Sequence, residues 1–395
     1  MKQLNFKRAT TTVALVIWTF LLMGLSVNAQ TVTVVATGLK RPTKVIFSEQ
    51  GNVLIAEAGT GMRDGRISIF NPQTGMRRTL LDGLPSAVGR FNIAQGPSGL
   101  VMHGRTLYIT IGEGNPTVVC DAPCEQIPNP NGADSPIFSS ILALTFSAPT
   151  EMTTNGFALV PGDDLALKNG HELSLLSGGD EMMIRMIADF PDVAHSPRDG
   201  APQNVDASNP FGIELFSNHL YVADGGMNKV WQVGFNHGDI QTLVTFPTII
   251  TSSGGRVEAV PTSVRVFNNQ LLVALFRDGA GSSLGAGLAE IRLVNPQTGS
   301  DAPFFAGLTS AIDVLPVQTK GNPDYFYGLQ FGVFAPPNGP GLMPARLLRF
   351  DAPATPPVSS FVLPNFATSM TRDAETGDLY MTRTGAGTII RVRFS

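Results

Sequence analysis

The chain is poor in the residues that build most catalytic and metal centres. Its 395 residues include only two cysteines and five histidines. No second Cys/His pair stands at ligand spacing from Cys120 and Cys124, which disfavours a structural zinc site. No Ser/His/Asp arrangement can be recognised from residue spacing either. The sequence therefore gives little support to zinc-centred or serine-hydrolase chemistry.

Charge is also scarce, at 15% of residues, and no basic stripe is visible. Nucleic acid is therefore not an expected partner. What the chain has in abundance is glycine and proline, 42 and 29 residues respectively. With so few charges, this composition suits many short strands joined by tight turns.

Residues 1–29 are predicted to be a signal peptide. Three basic residues precede the apolar run Val13–Leu25, and Val27–Ala29 fits a small-residue cleavage site. A membrane anchor is the alternative, but strand-like sequence follows directly instead of a basic stop-transfer flank. Cleavage leaves 24 Lys+Arg against 31 Asp+Glu, a balance of −7. The mature chain, 30–395, is expected to be one periplasmic or secreted domain without a membrane span.

Cys120 and Cys124, in the stretch CDAPC, are predicted to form a disulfide because an exported chain meets oxidising conditions. Free thiols are the alternative. The loop is too short for the bond to add much global stability, so it would stiffen one surface loop.

Internal repetition decides the expected fold. The turn Asn-Pro-Gln-Thr-Gly occurs at Asn71–Gly75 and again at Asn295–Gly299, each time between an apolar run and a Gly-Leu pair. Each repeat has an apolar strand, a turn, a second strand, a third strand and usually a weaker fourth. The six units begin at Pro42, Pro97, Pro210, Pro261, Ala311 and Ala367.

Second strands such as VLIA, LYIT and LYVA are apolar on both faces, which requires a sheet that is covered on each side. Sheets packed face to face around an axis meet this requirement. We predict an all-β, six-bladed β-propeller with four-stranded blades. Val32–Ala36 would complete the last blade and close the ring, which removes a free edge. An insertion is expected at about 150–209, and a degenerate seventh blade there is the alternative.

Four stretches carry a family resemblance: VVATGLKRPTKVIF, GPSGL followed by LYITIGEGN, NPFG followed by LYVADGG, and VEAVPTSVRV. With these stretches the chain resembles the ScyD/ScyE family of secreted six-bladed propellers, related in style to the NHL and gluconolactonase-type propellers. The resemblance spans nearly all of the mature chain. It implies a periplasmic or secreted protein and a link to the biosynthesis of scytonemin-type secondary metabolites, but no particular reaction.

Propeller geometry predicts which loops meet. Loops that enter the first strand of each blade share one face with those that follow the second strand. The residues predicted to bind a ligand at this channel mouth are Arg41, Glu57, Glu113, His195, Arg198, Asp224, Arg277 and Asp278. Acidic residues after such strands also accept hydrogen bonds from the following turn, which is the alternative role. We expect the mouth to bind a small molecule or a protein partner.

Two enzymatic alternatives can be tested against the residues. Glu57, Asn209 and Asp224 offer the oxygen ligands of a single metal, with Ca²⁺ as the candidate cofactor, and so suggest a gluconolactonase-type metal-dependent lactonase. A quinoprotein sugar dehydrogenase is the less favoured alternative. In this chain Ser98 stands where that class has its base, so proton abstraction lacks an agent. A non-enzymatic binding protein is therefore preferred.

Overall fold

The fold is taken from a computed structural model of the chain. The structure describes residues 30–89, 93–114, 116–120, 124–235, 238–252, 254–277, 286–318, 324–332, 344–363 and 366–394. The predicted signal peptide therefore lies outside the described residues. Within them, no helix has the length and hydrophobicity needed to cross a bilayer.

Short strands dominate the first half of the described chain, as the abundance of turn residues predicts. These strands are β1 (Gln30–Ala36), β2 (Pro42–Phe47), β3 (Val53–Glu57), β4 (Gly65–Phe70), β5 (Arg77–Leu84), β6 (Ala87–Val88), β7 (Ala94–Gln95), β8 (Pro97–His103), β9 (Thr106–Ile111), β10 (Thr117–Cys120), β11 (Cys124–Ile127), β12 (Ser140–Phe146), β13 (Phe157–Ala158), β14 (Leu173–Ser177), β15 (Asp180–Asp189), β16 (Val193–His195) and β17 (Val205–Ala207). Two short helices lie between β12 and β14, namely α1 (Ala148–Thr153) and α2 (Pro161–Lys168).

The second half repeats the pattern more regularly. Its strands are β18 (Pro210–Phe216), β19 (His219–Asp224), β20 (Lys229–Val233), β21 (Ile240–Thr245), β22 (Ile249–Ile250), β23 (Arg256–Val257), β24 (Pro261–Phe267), β25 (Gln270–Leu275), β26 (Ala289–Val294), β27 (Asp301–Leu308), β28 (Ala311–Val317), β29 (Tyr325–Gln330), β30 (Ala345–Phe350), β31 (Ser359–Leu363), β32 (Met370–Arg372), β33 (Leu379–Arg383) and β34 (Thr388–Phe394). A single 3₁₀ turn, Thr384–Ala386, follows β33.

Six sheets form the blades of a β-propeller, so the predicted fold is confirmed. From the axis outwards they are β2–β5, then β8, β9, β12 and β15, then β18–β21, β24–β27 and β28–β31, and finally β32, β33, β34 and β1. The innermost strands contact one another in sequence, and β32 contacts β2, so the six blades surround a common axis. Strand β1 pairs antiparallel with β34 from Gln30 to Ala36. The alternative of a seventh blade is wrong.

The segment 150–209 contains the fourth strand of the second blade instead of an extra blade. Strands β14 and β15 pair as an antiparallel hairpin, and β15 adds to β12. Strand β13 adds to the outer edge of the first blade in parallel, with Phe157 opposite Leu81. Buried Glu151 in α1 pairs with Arg105 at 2.8 Å, and this salt bridge anchors the segment 150–209 to the second blade.

The two-sided burial expected from the sequence is seen in β3, where all five residues are buried. Leu54 and Ala56 pack into the core shared with the second blade. Val53 and Ile55 face the other way, into the core that contains Tyr380 of the last blade. Each fully buried aliphatic side chain of this size stabilises the fold by about 1.5–3 kcal/mol, so these interblade cores hold the ring together.

One hydrogen bond recurs in all six blades and builds the rim of the channel mouth. The backbone N–H of the residue after the second strand donates to the carbonyl of a residue ahead of the first strand. The pairs are Ala58 to Arg41 (3.0 Å), Gly112 to Gly96 (2.8 Å), Gly225 to Asn209 (3.0 Å), Phe276 to Val260 (3.0 Å), Phe331 to Ser310 (2.9 Å) and Thr384 to Phe366 (3.0 Å). These bonds place equivalent residues of the six blades on one face.

The cysteines lie in the β10–β11 hairpin. Its register pairs the Cα atoms of Cys120 and Cys124 across the two strands. Their side chains are outside the described residues, so the disulfide stays a prediction.

Candidate functional site

A basin occupies the channel mouth. It has an axial cavity of about 200 Å³ on the propeller axis and a lateral cavity of about 260 Å³. The residues that line both cavities are Ile93, Gln95, Asn209, Gly225 and Val260. Because the two cavities share these walls, we treat them as one mouth basin.

The axial cavity is mainly apolar. Phe276 and Phe331, from the fourth and fifth blades, meet edge to face with ring centroids 5.7 Å apart. Phe331 also stacks on Phe366 at 4.7 Å, with 20° between the ring planes. Phe276 and Phe331 line the cavity together with Phe211 and Ile312. Phe276 and Phe331 therefore form an aromatic wall of the axial cavity, and Phe366 extends the row through its contact with Phe331.

Among the described residues that line the axial cavity, Arg41 is the charged one. Its φ of +59° is unusual for a residue with a side chain, but Val260 (+47°) and Ser310 (+49°) share it at the equivalent positions. The left-handed backbone therefore recurs at this position in three of the six blades. Burial lowers the pKa of the Arg41 guanidinium, which nevertheless stays charged. No hydrogen bond or ion pair joins this guanidinium to any part of the chain that the structure describes.

The hydroxyl groups of three threonines in the axial cavity are used within the fold. Thr43 Oγ1 donates to the Pro97 carbonyl at 2.8 Å, across the first and second blades. Thr368 Oγ1 donates to the Thr43 carbonyl at 2.8 Å, across the sixth and first blades. Thr384 Oγ1 donates to the Pro42 carbonyl at 2.8 Å. These threonine hydroxyl protons are therefore occupied.

The lateral cavity carries charges of both signs that offset one another. Arg198 lies 3.5 Å from Asp206 and 3.9 Å from Glu258, and Arg256 also pairs with Glu258. Burial acts to raise the pKa of Glu258, but hydrogen bonds from Thr248 and Arg256 lower it overall. Burial raises the pKa of Asp206 despite the nearby arginine. The two lateral arginines therefore already have counter-charges.

Four predicted site residues line the mouth basin. Arg41 lines the axial cavity, whereas Glu113 and Arg198 line the lateral one. Asn209, predicted only as a metal ligand, lines both cavities, and its Oδ1 accepts the Glu113 N–H at 3.3 Å. Ligand binding by these four residues stays a prediction.

Glu57 does not reach the basin. Its side chain is fully buried and forms a salt bridge with Arg66 at 2.6 Å. The carboxylate also accepts the Lys40 N–H at 2.6 Å and the Ser68 hydroxyl proton. Arg77 lies 3.7 Å away. Glu57 therefore has the structural role that was the alternative.

Asp224 is likewise buried, with no exposed surface. Its carboxylate accepts hydrogen bonds from Ser208 Oγ (2.6 Å), Asn209 N (2.8 Å), Gly226 N (3.1 Å), Met227 N (3.1 Å) and Trp231 Nε1 (2.9 Å). These donors fix the turn after β19 and the entry into β18. Asp224 therefore shapes the rim from inside the third blade.

This geometry does not favour calcium binding by Glu57, Asn209 and Asp224. A carboxylate offers about four lone-pair positions, and those of Glu57 and Asp224 are filled by protein donors. Across the described ranges, no three His, Cys, Asp or Glu side chains cluster as a metal site. Calcium as a cofactor stays a prediction that these contacts do not support.

Two further predicted residues, His195 and Arg277, do not line either cavity. His195, in β16, is exposed, and its Nε2 lies 3.1 Å from the Pro202 carbonyl oxygen. Arg277 is buried and donates to the Pro247 carbonyl at 2.7 Å and to Glu290 at 2.8 Å. Asp278 lies outside the described residues.

Ser98, which stands at the position of a dehydrogenase base, is buried between blades. Its Oγ donates to the Pro210 carbonyl at 2.6 Å. The side chain therefore links the second and third blades and has no access to a substrate.

Four charged residues on the propeller axis were missed from the sequence. Lys44, Glu214, Arg265 and Asp313, here the axial charge cluster, occupy the third or fifth position of β2, β18, β24 and β28. Asp313 lies 3.5 Å from Lys44 and 3.1 Å from Arg265, which also donates to the Met370 carbonyl at 3.1 Å. Side chains from the first, fourth and fifth blades thus meet across the axis.

Burial and mutual attraction set the protonation of this cluster. Burial and the nearby charge of Arg265 together lower the pKa of Lys44 to about 8, against the attraction of Asp313 and Glu214. Burial raises the pKa of Glu214, against the attraction of Arg265 and Lys44. Burial would also raise the pKa of Asp313, but Arg265 and Lys44 lower it overall. The sequence signal was single charges in otherwise apolar inner strands, such as the Lys of PTKVIF and the Asp of AIDVLP.

No protein-family model and no curated protein sequence matches this chain. Among solved structures, virginiamycin B lyase from Staphylococcus aureus is 13% identical, over 93% of this chain and 99% of that one, with a TM-score of 0.46. The aldose sugar dehydrogenase from Streptomyces coelicolor, bound to PQQ, is 12% identical over 93% and 99%, with a TM-score of 0.47. A calcium structure of a Trichoderma reesei carbohydrate-active enzyme of family AA12 is 11% identical over 94% and 97%, with a TM-score of 0.47.

Similarities this distant carry no argument about what the chain binds or catalyses. The resemblance to the ScyD/ScyE family also stays without confirmation. Any function must therefore be argued from the mouth basin itself.

Proposed function

We propose that this chain is an exported six-bladed propeller that binds a small molecule in the mouth basin. The observation that carries the proposal is the continuity of the two cavities through Gln95, Asn209 and Val260. The basin combines an apolar wall with polar groups, which is the usual make-up of a small-molecule site. Export rests on the predicted signal peptide. A link to secondary metabolism rests on the ScyD/ScyE resemblance.

A concave basin supports a small ligand better than a flat protein partner. A metal-dependent lactonase has less support, because Glu57 and Asp224 are engaged within their own blades. A quinoprotein sugar dehydrogenase also has less support, because Ser98 is buried between blades. Binding without catalysis is therefore the function that we prefer.

Filling the basin tests this function. Gln95 lies on the wall shared by both cavities, and its side chain forms no hydrogen bond within the described residues. Gln95→Trp should therefore block the basin without breaking a contact of the fold. Gln297→Trp is the matched control, because Gln297 lies in an exposed turn where only its backbone N–H bonds to Asn295.

A library of metabolite-sized compounds would be screened by thermal shift, and hits would be measured by calorimetry. A ligand at one hundred times its Kd stabilises a protein by about 2.7 kcal/mol, which such a screen detects. We expect hits to bind the wild type and Gln297→Trp alike and to lose affinity for Gln95→Trp. Equal affinity for all three proteins would contradict binding in the mouth basin.

A further inference from the structure

The charges and shape of the basin define the class of ligand, an inference that rests on the proposed function. We propose that the mouth basin selects a planar, apolar monoanion. Its anionic group pairs with Arg41, and its ring lies against the phenylalanines of the axial cavity.

The charge of the ligand follows from the balance of charges around the basin. Arg198 and Arg256 in the lateral cavity already face Asp206 and Glu258. Arg41 in the axial cavity has no such partner among the described residues, although burial already penalises its charge. A buried charge is stabilised when a counter-ion is supplied, and a guanidinium binds a carboxylate through paired N–H donors. An anionic ligand therefore completes the axial cavity.

The ligand should carry one negative charge and not two. Beyond Arg41, the basin continues into the lateral cavity, where Arg198 and Arg256 already pair with Asp206 and Glu258. A second anionic group at the far end of a ligand would enter a region whose two arginines are already engaged. It would lose hydration there without gaining an unpaired counter-charge. A dianion should therefore bind more weakly than a monoanion of the same shape.

The shape of the ligand follows from the aromatic wall. Phe276, Phe331 and Phe366 form a continuous row, with centroid distances of 5.7 and 4.7 Å. A planar ring can extend this row by an edge-to-face or offset contact, the arrangements that aromatic groups prefer. An aliphatic ligand would gain only the burial of its apolar surface, without this contact between rings. Ile312 and Phe211 line the same cavity and offer further apolar surface to the ring.

Three probes with one naphthalene ring test these statements by calorimetry at pH 7: 2-naphthoate, 2-naphthamide and 2,6-naphthalenedicarboxylate. We expect wild-type protein to bind 2-naphthoate at least tenfold more tightly than the neutral amide or the dianion. Arg41→Met should abolish the preference for 2-naphthoate over the amide, and Arg41→Lys should keep part of it. The matched control is Arg346→Met, which removes an arginine of the fifth blade that bonds to Ser360. This control should keep the full preference for 2-naphthoate over the amide.

Phe331→Ser separates the contribution of the ring from that of the charge. It should weaken naphthoate and naphthamide by the same factor, whereas Arg41→Met weakens naphthoate alone. Fluorescence of Trp231 reports whether each variant is folded, because this side chain is buried and stacks on Phe190.

The outcomes distinguish this inference from the proposed function. If naphthoate and naphthamide bind equally, or if Arg41→Met leaves the preference intact, the Arg41 assignment is overturned. Loss of naphthoate and naphthamide binding in Gln95→Trp would still support the mouth basin as the binding site. If no naphthyl probe binds, the ligand class is overturned, and the library screen alone decides whether the basin binds small molecules.

Discussion

Replacing Asp313 by asparagine is expected to destabilise the propeller as a whole. Asp313 is fully buried. Its Oδ2 atom lies 3.5 Å from the Lys44 ammonium and 3.1 Å from the Arg265 guanidinium, and it accepts the Met370 N–H at 3.0 Å. Asparagine keeps the size of the side chain but removes its charge. Two cations from different blades then remain close together on the axis without this counter-ion.

The loss of unfolding free energy in Asp313→Asn depends on which cation can lose its proton. Removing one partner of a buried ion pair costs about 3–5 kcal/mol. Lys44 can escape part of this cost, because its pKa is already lowered to about 8 and neutralising it at pH 7 takes about 1.4 kcal/mol. Arg265 cannot deprotonate, so its buried charge sets the remaining penalty. We therefore expect Asp313→Asn to cost about 3 kcal/mol of unfolding free energy, at the lower end of the range.

Guanidinium unfolding followed by Trp231 fluorescence would measure this cost. The double variant Arg265→Met/Asp313→Asn should be more stable than Asp313→Asn alone, because it removes one of the two cations that would otherwise share Glu214 as the remaining carboxylate of the axial charge cluster. Conversion of Arg349, an exposed arginine on β30, to methionine is the control and should not rescue Asp313→Asn. A cost below about 1 kcal/mol for Asp313→Asn, or simple additivity in the double variant, would refute the reasoning.

Three further outcomes follow from the buried charges. Burial and Arg265 lower the pKa of Lys44 from 10.5 to about 8, so the folded state loses this proton before the unfolded state does. The free energy of unfolding of wild type relative to Lys44→Met should therefore rise from pH 8 to pH 10. A difference that does not change with pH would exclude the lowered pKa of Lys44. Because Glu57 and Asp224 are saturated with donors, EDTA and added Ca²⁺ should leave the melting temperature unchanged. A calcium-dependent rise that disappears in Asp224→Asn would restore the predicted metal site. We also expect no metal-dependent turnover in a panel of lactones, whereas turnover lost in Glu57→Gln would favour the hydrolase.

The blades could be predicted because their signals are local. Four of the six inner hairpins begin with a proline, each has its own turn and apolar second strand, and two-sided burial follows from those second strands alone. The fourth strand of the second blade had no such signal. Strand β15 is separated from its partner β12 by two helices and the strands β13 and β14, so only long-range pairing identifies it.

The mouth was predicted in position but only partly in residues. Register alone brings Pro42 opposite Glu57 and Pro210 opposite Asp224, so the strand ends do meet at one face. The direction in which each side chain points was not predicted. Glu57 faces Arg66 directly across the β3–β4 pair, and counting residues through that hairpin would have revealed the pairing.

The apolar half of the basin was harder to foresee. Phe276, Phe331 and Phe366 follow or precede strands of three different blades, and nothing in their local sequence separates them from ordinary core residues. Their common position appears only when the recurring rim hydrogen bond is known. The four axial charges were visible in the sequence, but their partners lie on other blades.

The pairing of β1 with β34 constrains how the protein is made. Among the described strands, β1 leaves the ribosome first and its partner leaves last, so the final sheet stays incomplete until translation ends. Until then β1 presents an unpaired edge, the kind of surface that invites contact with other chains. Folding of the last blade is therefore a post-translational step in a chain of this design.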